Sequence, residues 1–287
     1  MGPDPNVAGN TRYEVSLNVF RDCGGATLDL RYNVAVRQGC AGAVAPGSPF
    51  LLNRVGIPAY GSPYCPSQAA NAVCSSTGGQ IAGARPNYEV ALYRATVSLP
   101  QAPEWLLSVE VNARPALANI EGFSNLRLEA VMRNRIAMGG QVHSVLNTSP
   151  TFSTLPVSFV PWNKPVLMNM GAFDADGDSL RFSLDRPLED CNIPDVYKPI
   201  PNQPIERLDT VINGFPIVCA AFATAGTPTT FSAAFPLPSY SVSGVCPVRT
   251  ASPYFNFNSA TGSLAFKPAF YDAATPSSAG KTSTPWW

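Results

Sequence analysis

Charge is scarce in this sequence of 287 residues, because Asp, Glu, Lys and Arg together make up only 13%, about half of the ~25% that is usual in globular proteins. The 19 basic side chains balance the 19 acidic ones, so the formal net charge is zero. Nucleic-acid-binding domains carry a basic patch, and anionic membranes attract polybasic segments. No apolar run approaches the ~18 residues of a membrane span. We therefore expect no nucleic-acid partner and no membrane insertion.

Common catalytic motifs are also missing. The chain has one histidine, His143, and no G-x-S-x-G, H-E-x-x-H or P-loop sequence. Those motifs position nucleophiles, metal ligands and phosphates. We therefore predict no catalytic residues and no enzyme. Four glutamates could supply the two carboxylates of a glycosidase, but we interpret them as surface charges on strands: Glu104, Glu110, Glu121 and Glu129.

Long helical patterns are absent, whereas chain breakers are plentiful. The 29 prolines and 22 glycines are spread along the chain, and they separate short runs of β-branched and aromatic residues, which predicts an all-β fold of many short strands. Residues 13–20 and 125–132 alternate between apolar and polar side chains, as half-buried strands do. Residues 39–85 are rich in Gly, Ala, Ser and Pro, so we expect long connections there, with one or two short strands and with disulfides that hold them. Further strands are predicted at residues 28–36, 88–99, 104–112, 157–160, 166–168, 179–184, 210–219, 229–233, 254–258 and 262–267.

The length of the chain suits two domains better than one. The polar segment Asn147-Thr148-Ser149-Pro150 ends in proline and precedes a new extended run. We therefore place the boundary there, with one β domain over residues 1–148 and a second over residues 149–287.

The cysteine spacing favours disulfides over zinc. No C-x-x-C pair occurs, and zinc sites need Cys or His partners at tight spacing. Disulfides indicate an oxidising compartment. Cys65 and Cys74 are close enough to close a small loop, and two bridges among the first four cysteines allow three connectivities. The disulfide candidates are Cys23, Cys40, Cys65, Cys74, Cys191, Cys219 and Cys246.

The best-marked site is an acidic loop in the second half. Asp174, Asp176 and Asp178 alternate along the chain, and three carboxylates this close repel one another unless a cation joins them. Calcium takes six to eight oxygen ligands, and carboxylates are among those it prefers. Gly177 lets the backbone turn so that the three side chains converge. We predict a structural calcium site with these three aspartates as ligands.

This loop is not an EF-hand, because its sixth position is Ser179 and its twelfth is Asp185, where an EF-hand has Gly and Glu. A solvated turn is the alternative interpretation, since Asp and Gly are favoured in turns.

Five segments, in this chain order, resemble the Bacteroidota family of large secreted surface proteins that carry a gliding-motility-associated, or type IX secretion, C-terminal domain. The first is the strand YEVSLNVFRDCGG, and the fourth contains ADGDSL. The segments are residues 13–25, 93–114, 147–152, 172–188 and 255–268.

This resemblance implies two immunoglobulin- or cadherin-like β-sandwich domains with long Pro/Gly-rich loops. It also implies export to the cell surface and adhesive, filament or scaffold work. The N-terminal segment has no basic start and no apolar core, so it is not a signal peptide, and we expect a mature chain or a fragment. We further expect the second domain to lack its last strand, which leaves a sheet edge beside Trp286 and Trp287 for self-association or for other modules of the same protein.

A carbohydrate-binding module is the alternative function. Aromatic side chains stack on sugar rings, and a surface glycan is a possible partner. Trp162, Trp286 and Trp287 lie near loops or ends, whereas Trp105 alternates with apolar neighbours. We therefore expect Trp105 to be buried and the other three to be the candidates for a sugar platform.

Overall fold

The protein is described by a computed structural model covering residues 2–61, 65, 67, 71–77, 87–112, 117, 119–122, 125–154, 160, 164–199, 205–213, 215–219, 229–237, 240–242, 247–249 and 255–266. These residues form twenty β-strands, so the all-β prediction is confirmed. The strands are β1 (Gly2–Pro3), β2 (Asn10–Asp22), β3 (Arg31–Arg37), β4 (Phe50–Tyr60), β5 (Tyr88–Pro100), β6 (Trp105–Val111), β7 (Leu126–Met132), β8 (Arg135–Met138), β9 (Gln141–Ser144), β10 (Thr151–Phe152), β11 (Val166–Asn169), β12 (Ala172–Phe173), β13 (Leu188–Asp190), β14 (Ile193–Pro194), β15 (Ile205–Ile212), β16 (Phe215–Cys219), β17 (Tyr240–Val242), β18 (Pro247–Arg249), β19 (Phe255–Asn258) and β20 (Ser263–Phe266).

The chain forms two compact units. The first comprises Met1–Pro115, Phe123–Ser149 and Pro187–Pro194, and the second comprises Ala116–Gly122, Pro150–Arg186 and Asp195–Trp287. The main boundary between the units, between Ser149 and Pro150, falls inside the polar segment Asn147-Thr148-Ser149-Pro150. Ala116–Gly122 belongs to unit 2 although it precedes this boundary, and Pro187–Pro194 belongs to unit 1 although it follows it. The units therefore differ from the predicted consecutive stretches 1–148 and 149–287.

Unit 1 contains a nine-stranded antiparallel sheet with the order β1-β2-β5-β4-β3-β6-β7-β13-β14. Its longest ladder joins β2 to β5, from Asn10 opposite Pro100 to Asp22 opposite Tyr88. Both strands are thirteen residues long, and β5 also pairs with β4 on its other side. The predicted strands at residues 13–20 and 88–99 are therefore neighbours in the sheet.

One face of this sheet carries the apolar core of unit 1. Side chains alternate between the two faces of a strand, and the register keeps the apolar sets together: Val97 lies opposite Tyr13, and Leu107 lies opposite Val36. The buried cluster spans five strands and the adjoining loops, as expected for a sandwich-type fold. Its members are Tyr13, Val19, Tyr32, Val34, Val36, Ala45, Leu52, Ala91, Tyr93, Val97, Leu99, Ala102, Trp105, Leu107 and Val109.

The eleven-residue strand β4 is a correction to the sequence analysis, which assigned residues 39–85 mainly to connections. Gly56 and Pro58 interrupt the alternation of its side chains and hide the strand. In the structure Gly56 adopts a positive φ of 71°, and the ladder with β5 shifts register between Val55 and Ala59. A bulge of this kind lets an irregular sequence remain in a sheet.

Unit 2 consists of small sheets. The strands β11, β20 and β19 form a three-stranded antiparallel sheet, and β10 with β12, β15 with β16, and β17 with β18 form pairs. Met168, Leu237, Phe255, Leu264 and Phe266 form a buried cluster around the three-stranded sheet. The predicted strands at residues 254–258 and 262–267 correspond to β19 and β20.

Two predicted strands are absent from the structure, and a third lies mostly outside the described residues. Residues 179–184 form no strand, because no neighbouring strand pairs with them, although Phe182 N–H donates to Ser259 O at 2.9 Å. Residues 229–233 contribute only isolated bridges. Residues 157–159 of the predicted strand 157–160 lie outside the described residues, as does everything after Phe266.

Candidate functional site

The acidic loop follows β12 directly, and Asp174 organises it. The side chain of Asp174 is buried, with 6% of its surface exposed. Its Oδ1 accepts hydrogen bonds from the backbone N–H groups of Asp176, at 2.9 Å, and Asp178, at 3.1 Å. Gly177 has a φ of 81°, a backbone conformation that glycine adopts without strain. One carboxylate therefore closes the loop through the loop's own amides.

The donor chemistry of this loop suits calcium, since carboxylate oxygens are the ligands that calcium prefers. Within the described part of the chain, however, no three His, Cys, Asp or Glu side chains are grouped so that they could share a metal ion. Asp176 and Asp178 lie at the exposed surface, and Asp174 already binds two amides. Calcium at Asp174, Asp176 and Asp178 stays a prediction, and the observed hydrogen bonds are those of a closed turn.

Two disulfides join four of the seven cysteines. Cys23, directly after β2, is bonded to Cys74, and their Cα atoms lie 4.5 Å apart. The predicted small loop between Cys65 and Cys74 is therefore wrong, and Cys65 is an exposed free thiol. Disulfides persist in oxidising environments, so the protein belongs to an oxidising, non-cytoplasmic compartment.

The second disulfide joins Cys40, in the loop after β3, to Cys191, between β13 and β14, with Cα atoms 5.6 Å apart. The structure thus pairs a cysteine of the first half with one of the second. The side chain of Cys219 lies outside the described residues, and so does the whole of Cys246.

Arg21 makes polar contacts with the residues around the Cys23–Cys74 bond. Its buried guanidinium lies 3.1 Å from the Glu89 carboxylate and donates to Ser75 O at 2.7 Å. A buried arginine is tolerated because these partners compensate its lost hydration. Asn87, whose O accepts from Cys23 N–H at 3.0 Å, donates its Nδ2–H to Ala72 O at 2.7 Å. The segment that carries Cys74 is therefore held by both covalent and polar contacts.

Arg127 on β7 performs the same role near Cys191. Its guanidinium contacts Asp190 at 3.0 Å, Glu110 at 2.9 Å and Glu129 at 2.6 Å. Two of the four glutamates considered for glycosidase chemistry therefore share one arginine. A third, Glu104, contacts Arg133 at 3.2 Å, and Glu121 is exposed. Glu110 and Glu129 thus lie on strands β6 and β7, as interpreted from the sequence, whereas Glu104 and Glu121 lie outside the strands.

Trp105 and two exposed phenylalanines of the β10–β12 pair can be compared with the prediction of an aromatic platform. Trp105 is 2% exposed, and its Nε1–H donates to Pro100 O at 3.0 Å, so its predicted burial is confirmed. Phe152 lies opposite Ala172 and Phe173 opposite Thr151, which places the two exposed phenylalanines on opposite faces of the β10–β12 pair. Trp162, Trp286 and Trp287 fall outside the described residues.

His143, the single histidine, is exposed on β9. It lies opposite Ile136 of β8, in a hairpin that turns at Gly139 and Gly140. The two strands of the hairpin carry no carboxylate, and their one hydroxyl belongs to Ser144, which as the next residue of the strand lies on the opposite face from His143.

The sequence analysis missed one surface, the open side of β2. Among the residues that the structure describes, β2 pairs with β5 along its full length on one side, but with β1 only at Thr11 and Arg12 on the other. The alternation of residues 13–20 predicts a strand but carries no information on which neighbours the strand has. An exposed strand edge is a template for pairing with another chain.

In the part of the chain that the structure describes, no helix is long and apolar enough to cross a membrane. No family model, curated protein or solved structure matches the chain.

Proposed function

We propose that this chain is a non-catalytic module of an extracellular surface protein, acting as part of an adhesin, filament or scaffold. The observation that carries the proposal is the Cys40–Cys191 bond, which closes 151 residues of a β fold into a covalent loop. A bond of this kind restricts the unfolded chain and persists only under oxidising conditions. Proteins that work outside the cell meet those conditions.

The polar contacts of unit 1 support a structural assignment. Arg21 contacts Glu89 and Ser75 O, and Arg127 contacts Glu110 and Asp190. Each arginine thereby holds a connecting segment against the sheet. Catalytic sites instead place titratable groups together in a cleft, where burial and neighbouring charges perturb them. The low charge content and the zero net charge favour a scaffold over a binder of strongly charged ligands.

The resemblance to Bacteroidota surface proteins supports the same proposal and adds type IX secretion as the export route. Calcium at the Asp174 loop belongs to the proposal as a structural ion. The partners would be other modules of the same protein, or further copies of it, joined through strand edges.

Surface labelling of the cells that produce the protein tests this proposal. We expect a membrane-impermeant biotin reagent to label the protein on intact cells, and mass spectrometry of the native protein to recover Cys40 joined to Cys191. Cells without the protein should adhere less or lose a surface structure. Recovery of the protein from the cytoplasm with both thiols reduced would overturn the proposal, and specific binding on a glycan array would favour the carbohydrate-binding alternative.

A further inference from the structure

The open side of β2 is long and regular. From Tyr13 to Asp22 the strand has no ladder partner on the side away from β5 among the described residues. In the described part of the chain, no turn or loop hydrogen bond reaches the backbone between Tyr13 and Phe20 either. Half of the backbone N–H and C=O groups along this stretch therefore point away from the sheet.

Three features that protect edge strands, namely short length, proline and bulges, are missing from β2, although the strand carries the exposed charges Arg12, Glu14 and Asp22. Natural edges are blunted by short length, proline, bulges or inward-pointing charges. β2 is thirteen residues long, contains no proline and keeps an unbroken register with β5. Its inward-facing charge is Arg21, which lies at the end of the strand and is paired with Glu89.

We propose that the occupant of this edge is the β2 strand of a second copy, paired antiparallel about a twofold axis at Leu17. This inference depends on one part of the proposed function, namely that copies of the protein associate through strand edges. Nine residues, from Tyr13 to Arg21, face the same nine of the other copy in reverse order. The two large sheets then continue into each other through main-chain hydrogen bonds.

The alternation of side chains restricts the register of this pairing. A twofold axis normal to the sheet keeps each face on its own side, so even-numbered residues must oppose even-numbered ones. Two registers then retain nine pairs on the open stretch, one centred on Leu17 and one centred on Asn18. The choice between them depends on the charges at the ends of the stretch.

Charge complementarity selects the register centred on Leu17. In that register the exposed Arg12 of each copy lies beside the exposed Asp22 of the other, on the same face of the sheet. The register centred on Asn18 instead puts Glu14 opposite Asp22, twice. Directly opposed like charges destabilise a sheet, whereas opposite charges stabilise it.

The remaining pairs fit the same register. β1 covers the edge at Thr11 and Arg12, so main-chain pairing ends at Tyr13, and the long Arg12 side chain reaches across to Asp22. On the inward face Val15, which is half-buried in the single copy, meets Val19 of the other. The zero net charge of the chain means that two copies do not repel each other at long range.

A head-to-tail contact between β2 and β7 is less favoured. β7 meets β13 only at Arg127 opposite Leu188 within the described ladders, so its open side from Leu128 to Met132 is five residues long. A contact of this kind joins unlike surfaces and continues without closing. It is therefore an outcome that the experiment must separate from the twofold dimer.

Molar mass in solution tests the inference on the full oxidised chain. We expect light scattering after gel filtration to show a mass that rises from 30.4 kDa toward twice that value as concentration increases. Arg12→Asp and Asp22→Arg should each weaken dimerisation roughly tenfold, because twofold symmetry applies each repulsion twice. The double variant Arg12→Asp/Asp22→Arg should restore it.

Arg31→Asp is the matched control, because Arg31 is an exposed arginine on β3, a strand paired on both sides. It should leave the dimer unchanged, and both Arg31→Asp and Arg12→Asp should keep the thermal midpoint of the wild type at low concentration. Variants with Asp22→Arg also lose the acceptor of the Gly24 N–H, so their dimerisation is compared at equal distance below their own thermal midpoints. A monomer at up to about 1 mM, a dimer insensitive to Arg12→Asp, or open-ended assembly blocked by Ala130→Lys on β7 would each overturn the inference. A monomer found at the cell surface would overturn this inference alone and leave the proposed function standing.

Discussion

Cys40 and Cys191 are joined by a disulfide although 151 positions separate them in the sequence. Cys191 lies in Pro187–Pro194, the short segment that returns to unit 1 after the chain has entered unit 2. This segment has little secondary structure to hold it, since β13 meets β7 at a single ladder position, Leu188 opposite Arg127. The disulfide and the Arg127–Asp190 ion pair therefore fix a segment that main-chain pairing alone holds weakly.

Replacing both cysteines, Cys40→Ser with Cys191→Ser, should lower the free energy of unfolding by roughly 2–5 kcal/mol, because the closed loop is long and its removal frees the unfolded chain. Urea unfolding followed by circular dichroism measures this change. Cys65→Ser is the control, since Cys65 is an exposed free thiol, and it should change stability by no more than about 0.5 kcal/mol. Equal midpoints for the three proteins would contradict the prediction.

Asn134 is the buried polar residue that braces the turn before β6. It is 1% exposed, accepts a hydrogen bond from Ala102 N–H at 2.8 Å, and donates to Pro100 O at 3.1 Å. Asn134→Ala leaves the buried Ala102 N–H without its acceptor, which costs about 1–3 kcal/mol. Asn33→Ala on the exposed face of β3 is the matched control and should change little. The two losses are compared by urea unfolding, and similar values for both variants would refute the brace.

The sequence predicted the strands whose alternation is uninterrupted. The sequences of β2 and β7 show a clear period of two, and in β2 this period reflects one face that lies toward the core. The bounds and length of β4 were not predicted, because Gly56 and Pro58 break the alternation of its side chains. Its position between β3 and β5 depends on contacts distant in sequence. Local pattern thus predicts a strand, but not its neighbours.

The candidate sites show the same division. The acidic residues of the 174–178 loop are obvious from spacing, yet the two N–H bonds to Asp174 depend on the backbone path. The partner of Cys40 was unpredictable, because the return of residues 187–194 to unit 1 leaves no local signal. The open edge of β2 was also unpredictable, because an edge strand is one that lacks a neighbour on one side, and the local sequence does not show which neighbours a strand has.

Tyr93 should make the protein sensitive to alkali. Its hydroxyl donates to Asp29 O at 2.7 Å, and burial raises its pKa to about 12. Tyrosine in the unfolded chain loses its proton near pH 10. Between these values the unfolded chain binds fewer protons than the folded one, so the free energy of unfolding falls as pH rises.

We therefore expect Tyr93 to leave the urea midpoint unchanged between about pH 6 and 9 and to lower it between pH 10 and 12. Tyr93→Phe keeps the ring packing against Tyr32 but has no proton to lose, so its midpoint should fall less steeply over this range. Tyr60→Phe, at an exposed tyrosine, should follow the wild type. A slope in Tyr93→Phe equal to that of the wild type would show that other groups cause the alkaline loss.

The Asp174 loop separates two contributions to stability that a single measurement would merge. Asp174→Ala removes the acceptor of two backbone amides, so it should lower the free energy of unfolding by about 1–3 kcal/mol with or without calcium. Asp176→Asn keeps the backbone N–H bond and removes one carboxylate, so it should reduce the stability that calcium adds. The two variants thus distinguish the turn from the ion.

Bound calcium should raise the stability of the wild type by about 2.7 kcal/mol at a hundredfold excess over its dissociation constant, and EDTA should abolish the gain. In Asp176→Asn the gain should be much smaller, because calcium affinity depends on the number of charged ligands. The readout is the thermal midpoint in calcium, in magnesium and in EDTA. Magnesium should have less effect, since it requires stricter octahedral geometry. A wild-type midpoint that is the same in calcium and in EDTA would leave the closed turn as the whole role of the loop.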